Sequence, residues 1–172
     1  MAKDNTVSTF ELFPESSGAL FAPCRKWHFT LWRTWDSNLP IVNWLILNPS
    51  TADESILDNT LTRCQNFTQA WGYGGMVITN LFAYRATEPM DMKQFEAPIG
   101  IENDRHIVES ATASAMVICG WGTHGKFLER DEHVKSLLRD NGIKPYCLKI
   151  NADKSPSHPL YLSSKLRPLP LL

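Results

Sequence analysis

Short apolar runs alternate with amphipathic stretches along most of this chain, and this alternation limits the fold more than any other feature of the sequence. Strands that alternate with helices of about 10 to 15 residues predict βαβ crossovers and a mainly parallel sheet that is covered on both faces. We therefore expect a three-layer α/β/α sandwich. The strand-like runs cover residues 39–47, 76–82, 115–121 and 145–150, and the helical patterns cover about 58–71, 101–114 and 124–139.

The two ends of the chain depart from this alternation. Residues 1–26 contain several Pro and Gly breaks and predict a loose N-terminal segment with one short strand at Thr9–Phe13. The aromatic run at 27–35, a turn-prone Asp-Ser-Asn and the run at 39–47 together predict an N-terminal hairpin. The last residues, 163–172, hold two prolines and predict an extended tail.

Length and composition restrict the class of protein. The 172 residues fit one domain, so we expect a single α/β domain over 1–172, acting as a monomer. A net charge of −1 argues against a protein that coats DNA non-specifically. The four cysteines are far apart and form no CxxC pair, which predicts reduced core thiols and neither a disulfide framework nor a zinc site; we also expect no cofactor. No apolar run is long enough to span a membrane and the N-terminus does not resemble a signal peptide, so the expected location is the cytoplasm.

Polar residues collect where the predicted strands end. In an open parallel sheet the ligand crevice lies beyond the carboxyl ends of the strands, and this rule selects residues before any family is considered. The first buried strand ends at Leu47-Asn48-Pro49-Ser50-Thr51, and the next passes through Asn80. The later strands lead to Trp121 and to the segment that contains His158 and Tyr161. Two amides, an imidazole, hydroxyls and an indole suit a planar, polar ligand.

Three of these side chains have competing interpretations. Asn48 precedes a proline and either caps a turn or contacts a ligand. Asn80 interrupts an apolar strand, and its carboxamide offers the donor and acceptor that can read the edge of a base. His158 is either an ordinary loop histidine or a group for proton transfer and anion stabilisation.

Two glycine motifs and three acidic residues are less specific. WGYGG at 71–75 follows a helix and lacks the lysine of a phosphate loop, so it predicts the end of that helix. WGTHG at 121–125 is either an anion-binding turn or a tight strand-to-helix connection. Asp53, Glu54 and Asp58 are solvated or capping residues in most interpretations, although each is also a candidate catalytic base. Asp58 is also a plausible N-cap.

Four segments of this sequence resemble a bacterial and phage family of domains of unknown function. They are LNPSTAD at 47–53, WGYGG followed by a strand and NLFA at 71–83, WGTHG at 121–125, and HPLYL at 158–162. The resemblance covers nearly the whole chain from about Phe29 to Leu162.

The same positions are similar, more distantly, to the uracil-DNA glycosylase superfamily. In that superfamily an Asp or Asn followed by Pro comes after the first core strand, and a later strand ends in an Asn that reads the base. A strand with Trp-Gly and a His-Pro motif follow. Here the order is LNPS at 47–50, ITNLF at 78–82, VICGWG at 117–122 and SHPLYL at 157–162.

This second resemblance implies roles for particular residues. Asn48 would position a water molecule, Asn80 would read the base, and His158 would donate to the departing base, with Asp53 as a further catalytic candidate. The remaining substrate-binding candidates are Pro49, Ser50, Thr51, Trp121 and Tyr161, the stacking rings Phe67, Trp71 and Tyr73, and the phosphate contacts Arg63, Arg85, Lys154 and Lys165. The first motif lacks the glycine and the aromatic residue found in several glycosylases, and Leu160-Tyr161 stand where Ser and Pro are common.

The leading functional hypothesis is a metal-independent hydrolase that cleaves the N-glycosidic bond of a damaged or modified base in DNA or in a nucleotide. One alternative is a module that binds a nucleotide or base without cleaving it, to sequester or inhibit. Another is a phage base-modifying transferase, which would require a co-substrate.

Overall fold

The computed structural model describes residues 12–14, 16–51 and 55–171. Seven strands form one sheet. They are β1 (Ser17–Phe21), β2 (His28–Thr34), β3 (Ile41–Ile46), β4 (Gly75–Asn80), β5 (Met116–Cys119), β6 (Pro145–Cys147) and β7 (Leu169–Pro170). The α-helices are α1 (Asn59–Ala70), α2 (Pro89–Gln94), α3 (Asn103–Ala113) and α4 (Arg130–Asp140), and 3₁₀ segments cover Thr123–Glu129 and Pro159–Tyr161.

The sheet is mixed, with a parallel centre. Its strand order is β1-β2-β4-β3-β5-β6-β7. The pairs β4–β3, β3–β5 and β5–β6 are parallel, whereas β1–β2, β2–β4 and β6–β7 are antiparallel. The predicted α/β fold is confirmed, and the parallel part is the four central strands.

Helices cover both faces of these central strands, because alternate residues of each strand point to opposite faces. On β3, Trp44 packs with Phe67 of α1 in one core cluster. Its neighbour Leu45 packs with Ile107 of α3 and Val134 of α4 in another. The result is the three-layer arrangement expected from the sequence.

The predicted hairpin between 27–35 and 39–47 is wrong in its pairing. β2 pairs with β1 and with β4, so β4 lies between β2 and β3. The N-terminal hairpin is therefore formed by β1 and β2. All six residues of β3 are buried, and a strand of this kind needs a neighbour on each edge, which β4 and β5 provide.

Gly74 shows how the chain closes around β4. A Cβ on this residue would lie 2.0 Å from the carbonyl oxygen of Asp36, so only glycine fits this close approach. The backbone N–H groups of Trp35 and Asp36 donate to the carbonyl of Gly74. WGYGG thus ends α1, as predicted, and also joins the turn after β2 to the start of β4.

The helical pattern predicted at about 124–139 is divided in two. Leu128 and Glu129 have positive φ values of 55° and 53°, and α4 begins only at Arg130. The Arg130 side chain is 2% exposed, and its Nε donates to the carbonyl of Leu81 at 2.7 Å. Its Nη2 lies 2.5 Å from Oδ1 of Asp104. A buried guanidinium needs these partners, and the break in the helix accompanies its burial.

Two strands of the sheet come from the segments near the ends of the chain, β1 at Ser17–Phe21 and β7 at Leu169–Pro170. β1 lies inside the segment expected to be loose, and most of the strand expected at Thr9–Phe13 lies outside the described residues. In the segment expected to form an extended tail, Leu169–Pro170 pairs with β6 and adds a strand to the sheet. None of the described helices combines the length and apolar character needed to cross a membrane.

Candidate functional site

A cleft of about 610 Å³ opens at the carboxyl ends of the parallel strands, where the topology predicts a crevice. Its walls come from the segments after β3, β5 and β6 and from the start of α1. The lining residues used below are Asn48, Ser50, Asp58, Thr87, Trp121, His124, Lys149 and His158.

Asn48 is half-buried two residues beyond β3, and its amide orientation is fixed by the backbone. Nδ2 donates to the carbonyl of Ala86 at 2.8 Å and to the carbonyl of Pro49 at 3.2 Å. Within the described chain, no group donates to Oδ1 of Asn48. Oδ1 is therefore the atom that this side chain offers to a ligand or water in the cleft.

A small pocket of about 40 Å³ adjoins the cleft and brings Asn48 and Asn80 together. Asn80 is the last residue of β4 and pairs in register with Ile46, two residues before Asn48. It is 4% exposed, and its Oδ1 is buried without a partner among the described residues. The pocket has room for one or two water molecules or for the edge of a ring.

His158 lies on the same cleft as Asn48 and is exposed. Nδ1 accepts from the backbone N–H of Leu160 at 3.4 Å, which leaves Nε2 to carry the proton of the neutral ring. Desolvation by surrounding protein atoms lowers the pKa of His158, and the Asp58 carboxylate opposes this effect more weakly. The imidazole is thus neutral at pH 7 and presents an N–H donor.

Asp58 is the one carboxylate among the described residues that line the cleft, and it also lines the small pocket. As predicted, it caps α1, because Oδ1 accepts from the N–H of Leu61 at 2.9 Å. The sequence favours Asp53 over Asp58 as a catalytic residue, but Asp53 lies outside the described residues. The N-cap position itself was a signal for Asp58, since a helix that follows a parallel strand starts at the crevice.

Other predicted residues near Asn48 divide between the two cavities. Trp121 lines the cleft and is 1% exposed. Pro49 lines the small pocket, and Ser50 lines both. Oγ1 of Thr51 forms a hydrogen bond with Oγ1 of Thr87 at 2.9 Å, so Thr51 supports the cleft wall without lining it.

The expected stacking rings Phe67, Trp71 and Tyr73 do not line the cleft, which corrects their predicted role. Phe67 is 3% exposed and lies against Trp44 and Trp71 with ring centroids 6.0 and 5.5 Å away. The backbone carbonyl of Tyr73 accepts from the indole of Trp35. These rings form the layer between α1 and the sheet, because helical spacing directs them to the face that packs.

The expected phosphate contacts, Arg63 and Arg85, also lie away from the cleft lining and bind backbone carbonyls. Nη2 of Arg63 donates to the carbonyl of Leu162. The Arg85 guanidinium donates to the carbonyls of Arg25 and Thr51, each at 3.3 Å. Arg63 thus anchors the segment that follows His158 to α1.

Tyr161 is 93% exposed and does not line the cleft, so its predicted contact with the ligand is also corrected. It borders a groove beside β7 that meets the cleft at Lys149 and Leu162. The residue before the proline, His158, turns towards the cleft, while the short 3₁₀ segment carries Tyr161 away from it.

Two cationic or imidazole side chains on the cleft were missed by sequence reasoning. His124 follows β5, and its Nδ1 lies 2.9 Å from Nζ of Lys93. Lys149 follows β6 and is exposed. The WGTHG turn and the rule on strand ends could have identified both, since both follow parallel strands.

A larger groove of about 830 Å³ lies elsewhere, between the end of β1 and the start of α3. Its walls are mostly apolar and include Trp27, Phe29 and Ile101. Its charged lining residues include Arg105, which pairs with Glu102, and Asp104, which pairs with Arg130. These groups are engaged with one another and the groove lies away from the strand ends, so the cleft is the better candidate for chemistry. Over the described part of the chain, no cluster of three His, Cys, Asp or Glu residues could hold a metal ion.

Comparison with known proteins identifies the family of the chain without naming an activity. No curated protein and no solved structure matches it. Residues 28–160, which span the sheet from β2 to the His-Pro motif, match the family described as "Protein of unknown function (DUF1643)". The sequence motifs already indicated a family of unknown function, and the chain belongs to this one.

Proposed function

We propose that this protein is a hydrolase that cleaves the N-glycosidic bond of a damaged or modified base, in DNA or in a nucleotide, without a metal ion. The observation that carries the proposal is that Asn48, Asp58 and His158 line one cleft at the carboxyl ends of parallel strands. The order of the four motifs that resemble the uracil-DNA glycosylase superfamily supports it further.

The reaction adds water across the bond between the sugar C1′ and the base nitrogen. Positive charge develops on the sugar and negative charge on the departing base, so the site must position water and stabilise an anion. The water oxygen bonds to C1′ and the electron pair of the C1′–N bond leaves with the base. A water proton passes to a carboxylate, and the base gains a proton or a hydrogen bond.

Each group of the cleft suits one of these tasks. Oδ1 of Asn48 is an acceptor for one O–H of the water, because its Nδ2 is held by Ala86. The Asp58 oxygen that does not cap α1 is the proton acceptor for the same water. The neutral His158 ring offers its Nε2–H to the departing base.

Asn80 gives the small pocket the character of a base-edge pocket. A buried carbonyl oxygen without a partner costs roughly 1 to 3 kcal/mol, which a donor from a base or a water molecule would offset.

The test is a cleavage assay on duplex and single-stranded oligonucleotides with a panel of modified bases, and on the matching nucleosides and nucleotides. We expect a free base and an abasic or free-sugar product from at least one substrate. Asn48→Ala and Asp58→Asn should abolish most of this activity. Asn141→Ala is the matched control, because Asn141 caps the exposed end of α4. Absence of product from the whole panel with folded protein would refute cleavage.

Binding without cleavage is the second candidate, and the cap role of Asp58 favours it. The N–H of Leu61 already occupies Oδ1 of Asp58, so only the other oxygen of this carboxylate remains for a water molecule. Thermal unfolding with the same panel separates the two functions: a ligand that raises the Tm but is recovered intact indicates a binding module.

A further inference from the structure

The chemical character of the cleft changes along the row of strand ends. Asn80 ends β4, Asn48 follows β3, His124 follows β5 and Lys149 follows β6. Because the sheet runs β4-β3-β5-β6, these residues succeed one another along the crevice. Strands lie about 4.8 Å apart, so β4 and β6 are roughly 14 Å apart. One end of the site carries two carboxamides, and the other carries an ammonium and an imidazole.

The imidazole at the second end is held as a donor. A lysine ammonium can only donate, so the 2.9 Å contact with Nζ of Lys93 makes Nδ1 of His124 the acceptor. The proton of the neutral ring is then on Nε2. Desolvation, with a smaller effect from Lys93, lowers the pKa of His124. An N–H donor backed by a positive charge is suited to an anion.

Lys149 adds a cation where the cleft meets the groove beside β7. It lines the cleft, and none of the described residues forms an ion pair or hydrogen bond with its ammonium. The one described carboxylate of the lining, Asp58, belongs to the segment before α1. This end of the cleft therefore has no counter-charge for Lys149 among the described residues, which suits it to an anionic group.

The arginines that would follow a DNA strand are occupied elsewhere. Arg63 and Arg85 donate to backbone carbonyls of the protein, and the net charge of −1 provides no general attraction for a polyanion. The cationic groups of the site are concentrated at one end of a cleft about the size of a small ligand.

We infer that the ligand is a free nucleotide, with its base towards Asn48 and Asn80 and its phosphate on Lys149 and the Nε2–H of His124. This inference rests on the proposed function for the base end of the site. It narrows the substrate class from DNA or a nucleotide to a mononucleotide. It also makes Lys93 a positioning residue, which holds the tautomer of His124.

The experiment measures binding by calorimetry, independently of turnover. The probes are ribo- and deoxyribonucleosides with common and modified bases, their 5′-monophosphates, and single-stranded oligonucleotides that carry the same bases internally. For the base that binds, the monophosphate should bind at least about tenfold more tightly than the nucleoside, as expected for charge-assisted hydrogen bonds. The internal base in an oligonucleotide should bind more weakly than the monophosphate.

Two variants separate the phosphate end from the rest of the cleft. Lys149→Met and His124→Ala should each reduce the preference for the monophosphate to within about threefold, while nucleoside affinity stays within twofold. Lys144→Met is the matched control and should keep the full preference, because Lys144 is exposed and lies over the ring of Tyr146, outside the cleft.

The possible failures are distinguishable. Equal binding of nucleoside and monophosphate, or a preference for the monophosphate that survives both variants, would refute phosphate binding by Lys149 and His124. The proposed function would not be affected. Tighter binding of the oligonucleotide than of the monophosphate overturns the choice of a free nucleotide. No binding of any nucleoside, nucleotide or oligonucleotide overturns the proposed function together with this inference.

Discussion

Asn43 inside the sheet and Asn48 at its carboxyl edge both donate from Nδ2 to backbone carbonyls, but the surroundings of their acceptor oxygens differ. Asn43, within β3, is fully buried, and its Nδ2 donates to the carbonyl of Val77 and to Oγ1 of Thr79. Asn48, beyond the same strand, donates to the carbonyl of Ala86. The acceptor oxygen of Asn43 is enclosed by protein, whereas Asn48 lines a cleft.

We call the interior of the sheet and its packed helices the body of the protein, and the cleft at the carboxyl ends of the parallel strands its rim. A carboxamide oxygen in the body is enclosed by protein, whereas one at the rim can contact a ligand. In the body of the sheet a polar side chain ties strands together, and its loss lowers the free energy of unfolding. At the rim, half of the side chain is anchored and the other half remains for a ligand. Substitutions should accordingly change stability in the body and binding or turnover at the rim.

Phe67→Ala should have the largest effect, and on stability alone. This ring is 3% exposed and packs between Trp44, Trp71 and the Arg63 guanidinium, which lies 4.9 Å from its centroid. Truncation leaves a cavity and should lower the free energy of unfolding by about 3 to 5 kcal/mol, measured in urea. Ligand affinity of the folded fraction should stay unchanged.

Phe67→Leu is the milder companion variant and should recover much of the lost stability. A loss of ligand affinity with little loss of stability would return Phe67 to its predicted role as a stacking ring and would erase the distinction between body and rim.

Asn48→Ala should have the opposite profile. Loss of the acceptor that orients the water should reduce turnover roughly 100-fold, or about 2.7 kcal/mol in the barrier. The free energy of unfolding should fall by only about 1 to 2 kcal/mol, since two partly exposed hydrogen bonds, to the carbonyls of Ala86 and Pro49, are lost. Single-turnover kinetics and urea unfolding measure the two effects. If the free energy of unfolding fell by more than the activation barrier rose, Asn48 would be a structural cap and not a catalytic residue.

The sequence predicts the body of this protein better than its rim. Apolar runs and helical periodicity report burial, which is a local property of each segment, so the central strands and α1 lie close to their predicted limits. The hairpin of β2 with β3 was predicted because the two strands are consecutive in the chain, but β2 pairs with β4. This pairing depends on which strands need a neighbour on each edge, and that is not a local property of the sequence. The break before α4 depends on the burial of Arg130 under Leu81, which no local pattern announces.

The candidate site was partly predictable for a similar reason. The rule on strand ends selected Asn48, Asn80 and His158, because topology alone places them. The residues chosen for their side-chain chemistry were placed wrongly. Aromatic rings and arginines suit nucleotides, but Phe67 of α1 packs against Trp44 of the sheet, and Arg63 lies over the ring of Phe67. Distinguishing these requires knowing which way each helix faces.

Acidification should lower the free energy of unfolding by less than Phe67→Ala does. One histidine of the body, His106, and one of the rim, His158, should contribute. His106 stacks on Phe29 at 4.6 Å, and its pKa is lowered by desolvation and then by Arg105. The pKa of His158 is lowered by desolvation. An unfolded histidine binds its proton near pH 6.5. Folded stability is therefore complete above about pH 6.5 and is lost as the pH falls below that value towards the lowered pKa values.

Urea unfolding at pH 7, 6 and 5 measures this slope. His106→Gln and His158→Gln should each make it shallower. Because His158 lies at the rim, only its substitution should also reduce ligand binding at pH 7. Stability that rises on acidification, or a slope unchanged in both variants, would contradict the assignment.

Tyr161→Ala should have the smallest effect and defines where the rim ends. The ring is 93% exposed and outside the cleft, so the free energy of unfolding should change by less than about 0.5 kcal/mol and ligand affinity by less than about twofold. Calorimetric titration of the variant measures this directly. A tenfold loss would mean that the ligand extends past Leu162 onto the groove beside β7. Tyr161→Phe would then show whether the hydroxyl or the ring makes the contact, and the site would have to be extended beyond the ends of the parallel strands.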